Sequence, residues 1–160
     1  MSLPTVRRRA PSFMNSKTQS SLYFAYGSNM NHQQMIDRCP DVKFKNIGFV
    51  VGFKFLINQR GVATIVPKED SLVYGVIWEL SFLDIDYLDH YEGVSNGFYE
   101  KKIGAQIITP EGNLSAFMYI ATQSDSGSPR SGYLEKIINA AIKNNINTEY
   151  ITELKTWITE

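Results

Sequence analysis

The sequence predicts an α+β domain in which a small mixed β-barrel is flanked by helices. Two observations carry this prediction: aromatic and β-branched runs dominate the middle of the chain, and helical patterns occur at its start, centre and end. Strands grouped apart from helices are typical of α+β folds. A chain of 160 residues normally forms one domain. We therefore expect a flexible basic tail over residues 1–20 and a single domain over residues 21–160.

The bulk composition favours an ordinary globular protein. The chain carries 16 Lys and Arg against 16 Asp and Glu, so its charge gives no reason to expect nucleic acid or a membrane as a partner. The single Cys39 excludes an internal disulfide and a zinc-binding cysteine pattern. No apolar run approaches the roughly 20 residues that span a bilayer. We expect a cytoplasmic protein that needs no metal and no nucleotide cofactor.

The first twenty residues differ in composition from the rest. They include Arg7, Arg8, Arg9 and Lys17 together with several Ser and Pro, and they contain no Asp or Glu. A flexible tail is the plainer interpretation. A transit-like targeting segment stays open, because such segments are rich in Arg and Ser and poor in acidic residues.

In the first half of the chain, apolar patterning predicts four strands and one helix. The helix covers about residues 30–38, is capped by Ser28 or Asn29, and ends before Pro40. A polar segment at 67–70 is expected to form a turn between the last two strands. The four strands are 22–26, 49–57, 62–66 and 73–80.

A helix in the centre of the chain is bounded by two local signals. Ser81 followed by Asp84 resembles a capping box, and Gly93 is a natural C-terminal stop. The Pro-Glu-Gly-Asn run at 110–113 predicts a hairpin turn. The remaining predicted elements are strands at 99–109 and 114–122, a polar loop at 123–132, and helices at 133–144 and 148–158.

The loop Tyr26-Gly27-Ser28-Asn29 lies between a predicted strand and a predicted helix. A loop that opens a helix presents unpaired N–H groups, which favour carboxylates and phosphates. Gly27 permits close backbone approach or a positive φ, and the Ser28 and Asn29 side chains add donors. An ordinary capped turn has the same pattern, so the loop alone does not decide between a turn and an anion site.

Glu92 is the sharper candidate for chemistry. It follows Tyr91 and precedes Gly93 at the predicted end of the central helix. Helix carbonyl groups and apolar neighbours both disfavour an ionised carboxylate there and raise its pKa. A carboxyl with a raised pKa can exchange protons near neutral pH. A plain solvated glutamate is the alternative interpretation.

Other polar and aromatic residues have weaker claims. His32 and His90 lack a ligand or catalytic partner at a useful spacing, and Cys39 has no nearby His. The three acidic residues of the central helix are expected to form its solvated face rather than a metal site: Asp84, Asp86 and Asp89. Core packing and pocket lining by phenol donors both stay open for Tyr99, Tyr119 and Tyr133.

At this point the chain resembles the γ-glutamylcyclotransferase family. The likeness runs from about residue 22 to 154, and its most specific parts are Tyr26-Gly27-Ser28-Asn29 and Glu92-Gly93-Val94 at the family's spacing. Residues 129–133 resemble the family's Pro-Ser-x-x-Tyr segment, with Arg130 where Ser is usual. The other matching segments are 23–25, 75–78, 88–91 and 97–99.

The resemblance implies a fold, an activity and a set of site residues. The fold is a small β-barrel with flanking helices, and the activity cyclises a γ-glutamyl group to 5-oxoproline while releasing an amine or amino acid. By position, Tyr26, Gly27, Ser28 and Asn29 would grip the glutamyl end, and Glu92 would be the catalytic acid/base. The pocket would be lined by Tyr99, Tyr119 and Tyr133. The resemblance also allows a homodimer, and it implies a small γ-glutamyl compound as substrate.

Asn29 and Met30 follow Gly27-Ser28, where glutathione-specific relatives more often carry Leu. We therefore expect γ-glutamyl amino acids as substrates. Two alternatives stay open: the same reaction on glutathione or a γ-glutamylamine, and a catalytically silent domain that binds a small carboxylated ligand.

Overall fold

The structure, a computed structural model, describes residues 20–158. Five strands form a closed barrel in the order β1, β3, β2, β4, β5. All neighbours are antiparallel except β1 and β5, which close the barrel in parallel through Tyr23 and Phe117. The predicted small mixed barrel is confirmed. The strands are β1 (Ser20–Ala25), β2 (Lys43–Ile57), β3 (Ala63–Ser81), β4 (Tyr99–Thr109) and β5 (Gly112–Ala121).

Four α-helices and one short 3-10 turn flank the barrel. The predicted cap of the first helix is wrong: the turn Ser28–Met30 takes up both candidate cap residues, and the helix begins later. Asn31 is the cap, and its Oδ1 accepts a hydrogen bond from the N–H of Gln34 at 2.7 Å. The helices are α1 (His32–Arg38), α2 (Phe82–Tyr91), α3 (Tyr133–Lys143) and α4 (Thr148–Lys155).

Both predicted boundaries of α2 are confirmed. The Ser81 hydroxyl accepts a hydrogen bond from the Asp84 N–H at 3.1 Å, and the reciprocal bond completes a capping box. Gly93 follows with a φ of +67°, a conformation that ends helices and suits glycine. The prediction that Asp84 belongs to a solvated face is wrong, because this capping role buries it at 1% exposure.

The predicted turn at residues 67–70 is wrong, because β3 continues through it. Pro67 pairs with Phe53 and Leu72 pairs with Val51, so residues 68–71 form a wide bulge opposite Gly52. Positive φ values at Asp70 (65°) and Gly52 (88°) absorb the irregularity. The turn-forming residues interrupt the pairing, while β2 is long enough to pair with both halves of β3.

The barrel interior and the inner faces of the last two helices share one core. The Asn144 side chain, just after α3, donates to the carbonyl of Met30 at 2.9 Å and so ties α3 to the 3-10 turn. Largest among the fully buried side chains are Trp78, Phe24, Met30, Met35, Ile57, Ile65, Ile77, Leu80, Leu88, Ile107, Met118 and Leu134.

The predicted tail falls almost entirely outside residues 20–158, and Ser20 is the first residue of β1. Within the described range, no helix has the length and apolar character needed to cross a membrane.

Candidate active site

A small cavity of about 40 Å³ opens where β1 gives way to the 3-10 turn. The structure brings together all eight residues that the sequence suggested for the site, and their functional roles stay predictions. Two further lining residues, Tyr23 and Ala63, were not predicted. The predicted residues are Tyr26, Gly27, Ser28, Asn29, Glu92, Tyr99, Tyr119 and Tyr133.

Hydrogen bonds from the barrel and within the loop hold residues 26–29 in place. The indole N–H of Trp78 donates to the carbonyl of Asn29 at 2.8 Å, and the N–H of Met30 bonds back to the carbonyl of Gly27 at 3.0 Å. The backbone N–H groups of Gly27, Ser28 and Asn29 have no backbone acceptor among the described residues. These three donors are therefore free to hold an anion.

Gly27 leaves space beside the loop. Its φ of −116° is negative, so the sequence-based option of a positive φ does not apply. A Cβ at this position would lie 3.4 Å from the Ala63 Cβ and 3.7 Å from the Tyr133 hydroxyl oxygen. A side chain here would fill the narrow gap between the loop and the opposite wall.

Glu92 is the C-terminal cap residue of α2. Its N–H bonds to the Leu88 carbonyl at 2.9 Å, and its half-buried carboxylate accepts a hydrogen bond from the Asn29 side-chain amide at 3.3 Å. Burial raises the pKa of Glu92 to about 7. The positive charge of Arg38 and the Asn29 hydrogen bond oppose this rise, and the negative charge of Asp89 adds to it.

Asn29 orients the polar end of the cavity. Its Oδ1 accepts hydrogen bonds from Arg38 at 2.8 Å and from Gln34 at 2.9 Å. Two donors on one oxygen fix the orientation of the amide, so its nitrogen must face the Tyr23 hydroxyl at 3.1 Å and the Glu92 carboxylate. Arg38 also lies over the Tyr91 ring at 4.7 Å. Sequence reasoning missed Arg38, because its side chain acts through Asn29.

Three tyrosine hydroxyls donate hydrogen bonds to other groups of the protein. Tyr26 donates to the Tyr119 carbonyl, and Tyr99 donates to the Ala63 carbonyl at 2.8 Å. Tyr119 donates to the Asp89 carboxylate at 2.5 Å. These side chains form the cavity walls, and their hydroxyl groups have no hydrogen-bond donor left for a ligand.

Tyr133 and Tyr23 differ from the other three. Each hydroxyl oxygen accepts a hydrogen bond, from the Ala63 N–H at 3.0 Å and from the Asn29 amide respectively. Neither hydroxyl proton has an acceptor within residues 20–158. Burial raises the pKa of both phenols, so they stay protonated at physiological pH. Both can donate a hydrogen bond to a group that enters the cavity.

The prediction that Asp89 is a solvated surface residue is wrong. Its carboxylate bonds to the Tyr119 hydroxyl through one oxygen and to the Lys101 ammonium at 2.9 Å through the other. Asp89 and Glu92 are three residues apart, so they share one face of α2. That spacing was visible in the sequence and could have placed Asp89 beside the site.

The remaining reactive side chains lie outside the cavity. His32 bonds to Asn144 at 2.8 Å and packs between Phe44 and Trp78. Cys39 is fully buried beside the Asp84 carbonyl, and burial raises the pKa of its thiol to about 12, which makes it a poor nucleophile. Among the described residues, no three His, Cys, Asp or Glu side chains are grouped to hold a metal.

Comparison with known proteins identifies the family. The sequence profile of the AIG2-like family matches residues 72–154. The chain is 30% identical over 148 residues to the γ-glutamylcyclotransferase of Homo sapiens and 31% identical over 148 residues to that of Mus musculus, in each case across 86% of this chain and 78% of the relative. The chain belongs to the γ-glutamylcyclotransferase family. The prediction of an enzyme of this kind is therefore confirmed.

The fold agrees with that membership. A solved structure titled γ-glutamyl cyclotransferase superposes with a TM-score of 0.82 at 29% identity, covering 89% of this chain and 90% of that one. The cavity combines a carboxyl whose pKa is raised to about 7 with fixed hydrogen-bond donors. Such groups can exchange protons near neutral pH and stabilise developing negative charge.

Proposed function

We propose that this cyclotransferase converts γ-glutamyl amino acids to 5-oxoproline and the free amino acid, with Glu92 as the acid/base. The observation that carries the proposal is the Glu92 carboxyl, whose pKa is raised to about 7 in a cavity lined by backbone and phenol donors. The substrate brings its own nucleophile, the α-amine of the glutamyl group. The enzyme therefore has to bind, fold and deprotonate the substrate rather than attack it.

Glu92 moves a proton between the two nitrogens of the reaction. Its ionised carboxylate takes a proton from the α-ammonium, because an ammonium has no lone pair for attack. The freed amine bonds to the γ-carbonyl carbon, and Glu92 returns the proton to the departing nitrogen as the old C–N bond breaks. The ring nitrogen loses its second proton to solvent, and the released amine takes one up. A carboxyl whose pKa lies near the working pH serves both steps.

The loop 26–29 and Tyr133 bind the anionic groups of the substrate. The three free N–H groups of the loop hold either the glutamyl α-carboxylate or the oxyanion that develops on the γ-carbonyl oxygen. Losing one oxyanion donor typically costs about 100- to 1,000-fold in rate. Tyr133 adds a neutral donor on the opposite wall, where its hydroxyl faces Gly27. Holding both ends of the glutamyl group bends it towards ring closure.

The remaining tyrosines shape the cavity. Tyr26, Tyr99 and Tyr119 use their protons within the protein, so in this proposal they set its width and exclude water. A cavity of about 40 Å³ takes only a few atoms of the substrate, since a single buried water already needs roughly 10–15 Å³. The released amino acid must therefore extend beyond the rim.

The test is 5-oxoproline release from a panel of γ-glutamyl dipeptides, glutathione and a γ-glutamylamine. We expect the dipeptides to be the best substrates and Glu92→Gln to lower kcat about 1,000-fold, within the range of general acid–base catalysis. Asp86→Asn is the matched control, because Asp86 is an exposed carboxylate on the same helix. Its turnover should equal that of the wild type.

Three outcomes would contradict parts of the proposal. Retained turnover by a folded Glu92→Gln variant would remove Glu92 from its role. A preference for glutathione or for the γ-glutamylamine would keep the mechanism and change the leaving group. Loss of activity on treatment with EDTA would show that the reaction needs a metal ion.

A further inference from the structure

Three chain segments that lead to the cavity residues Ala63, Tyr99 and Tyr133 contact one another and bring two arginines together. Arg60 precedes Gly61 in the β2–β3 hairpin, which leads to the cavity residue Ala63. Arg130 precedes Tyr133, whose N–H bonds to the Arg130 carbonyl at 3.0 Å. Phe98 directly precedes Tyr99. The sequence comparison with the family singled out Arg130 as a departure, and nothing in the proposed chemistry uses it.

The two arginines are held in place by the protein. The Arg130 Nε donates to the Arg60 carbonyl at 2.8 Å, and the Arg130 N–H donates to the Gly61 carbonyl at 3.1 Å. The Arg60 guanidinium lies 3.9 Å above the Phe98 ring centroid. A guanidinium that stacks flat on an aromatic ring keeps its in-plane N–H groups available for a ligand. Both side chains are thus ordered before any ligand binds.

Neither arginine has a carboxylate within ion-pair distance among residues 20–158. In the part of the chain that the structure describes, the only ion pair joins Lys101 to Asp89. The charges of both guanidinium groups act on the tyrosines that line the cavity. They oppose the rise that burial causes in the pKa of Tyr99, and Arg130 does the same at Tyr133. The rim therefore presents two positive charges that the protein itself does not neutralise.

Arg38, the third arginine near the cavity, is committed elsewhere. It donates to the Asn29 side chain at 2.8 Å and stacks on Tyr91 at 4.7 Å. Its charge acts on Glu92 itself. A substrate carboxylate bound at Arg38 would disturb the amide that orients the proposed acid/base. The free positive charge for a second anion lies at Arg60 and Arg130.

We infer that Arg60 and Arg130 form a subsite for the carboxylate of the leaving amino acid, which selects γ-glutamyl amino acids over uncharged γ-glutamylamines. This inference rests on the proposed function. A planar guanidinium binds a carboxylate through two parallel hydrogen bonds. In the proposed subsite, the guanidinium groups of Arg60 and Arg130 bind the one carboxylate that belongs to the departing amino acid. The subsite acts on binding, so its loss changes KM rather than kcat.

The experiment compares two substrates that differ only in that charge, γ-glutamylalanine and γ-glutamylalaninamide. We expect Arg130→Ser and Arg60→Gln each to raise KM for γ-glutamylalanine about 10- to 100-fold, the range of a charge-assisted hydrogen bond. Neither variant should change KM for the alaninamide, and kcat should stay the same for both substrates. Arg130→Lys keeps the charge and should recover much of the loss. Lys155→Gln, an exposed basic residue on α4, is the control without effect.

The outcomes separate this inference from the proposed function. Equal KM changes for both substrates, or none, would overturn the subsite and leave the cyclisation mechanism standing. If Arg130→Ser fails to fold, Arg60→Gln and Arg130→Lys decide the same question. Arg60→Gln keeps the Arg130 Nε bond to the residue-60 carbonyl, and Arg130→Lys keeps the positive charge. Absence of 5-oxoproline from both substrates with the wild-type enzyme would remove the proposed function and the subsite with it.

Discussion

The candidate cavity and a larger groove of this protein differ in the way that matters for function. The groove, between the β3 bulge and α4, measures about 550 Å³ and includes Lys54, Lys68, Glu153 and Trp157. The cavity measures about 40 Å³. Ligand sites are usually sought in the largest concave space, yet here the small cavity holds the ordered donors around one carboxyl. The convergence of polar groups makes the small cavity the stronger candidate site, although the groove has the larger volume.

Two buried tyrosines make the contrast concrete. In the cavity, the Tyr133 hydroxyl accepts a hydrogen bond from the Ala63 N–H and keeps its proton for a ligand. In the groove, the Tyr150 hydroxyl is buried beside the Tyr74 backbone, and no described group lies in hydrogen-bond geometry to it. One hydroxyl is positioned by the protein, and the other is merely enclosed by it.

The largest expected effect on stability is a gain on removing the cavity carboxyl. The folded state raises the pKa of Glu92 from 4.5 to about 7, so its contribution to stability is complete below pH 4.5 and is lost as the pH rises through 7. At about 1.4 kcal/mol per pKa unit, Glu92→Gln should raise the free energy of unfolding at pH 8 by up to about 3 kcal/mol. Urea titrations at pH 5 and pH 8 measure this.

Glu153→Gln in the groove is the control for that measurement. Its exposed carboxylate should leave the difference between pH 5 and pH 8 as it is in the wild type. A Glu92→Gln variant that gains nothing at pH 8 would show that the cavity tolerates the ionised carboxylate without cost.

A slightly smaller effect is expected in the pH dependence of turnover. Glu92 must be ionised to accept the first proton, so kcat/KM should fall about tenfold per pH unit below pH 7 and level off above it. Initial rates of 5-oxoproline release between pH 5 and pH 9 test this. Asp89→Asn should move the inflection to lower pH, because the Asp89 charge helps to raise the pKa of Glu92. An inflection that does not move would exclude that influence.

Tyr133→Phe should reduce kcat about 10- to 100-fold, because it removes a donor to the substrate from the cavity wall. Tyr99→Phe is the matched control, since its hydroxyl donates to the Ala63 carbonyl instead. It should affect stability more than kcat. Equal losses of kcat in the two variants would deny Tyr133 its separate role.

The smallest effect is expected in the groove. Tyr150→Phe removes a buried hydroxyl that makes no hydrogen bond, so it should leave stability unchanged or raise it by up to about 1 kcal/mol. Turnover should not change. A thermal melt and a single rate measurement are sufficient, and a loss of activity would show that the groove communicates with the cavity.

Local signals in the sequence predicted those parts of the fold that depend on local chemistry. The capping box at Ser81 and the helix stop at Gly93 were both visible, and they set the position of Glu92 at the helix end. The turn predicted at 67–70 was wrong because pairing with the long β2 outweighs the local preference for a reversal. Strand order was not derivable, since apolar alternation does not say which strands are neighbours.

The site residues, too, were predicted where their signal is local and missed where it depends on distant contacts. Glu92 and the loop 26–29 were found because each sits next to a helix terminus, where backbone electrostatics can be read from the sequence. Arg38 was missed because it reaches Asn29 across nine residues, and Asp89 was misassigned because its partner Tyr119 lies thirty residues away. Contacts of that kind depend on how the helices pack against the 3-10 turn and the barrel, which local patterning does not specify.

The bulge of β3 has a consequence for engineering and for the natural variation of this scaffold. Residues 68–71 interrupt the ladder opposite Gly52, and pairing resumes on both sides, at Pro67 with Phe53 and at Leu72 with Val51. Extra residues inserted there would lengthen a loop instead of shifting the register of either half. The bulge is therefore a suitable insertion site for a tag, an epitope or a reporter, because an insertion there leaves the pairing of the strands unchanged.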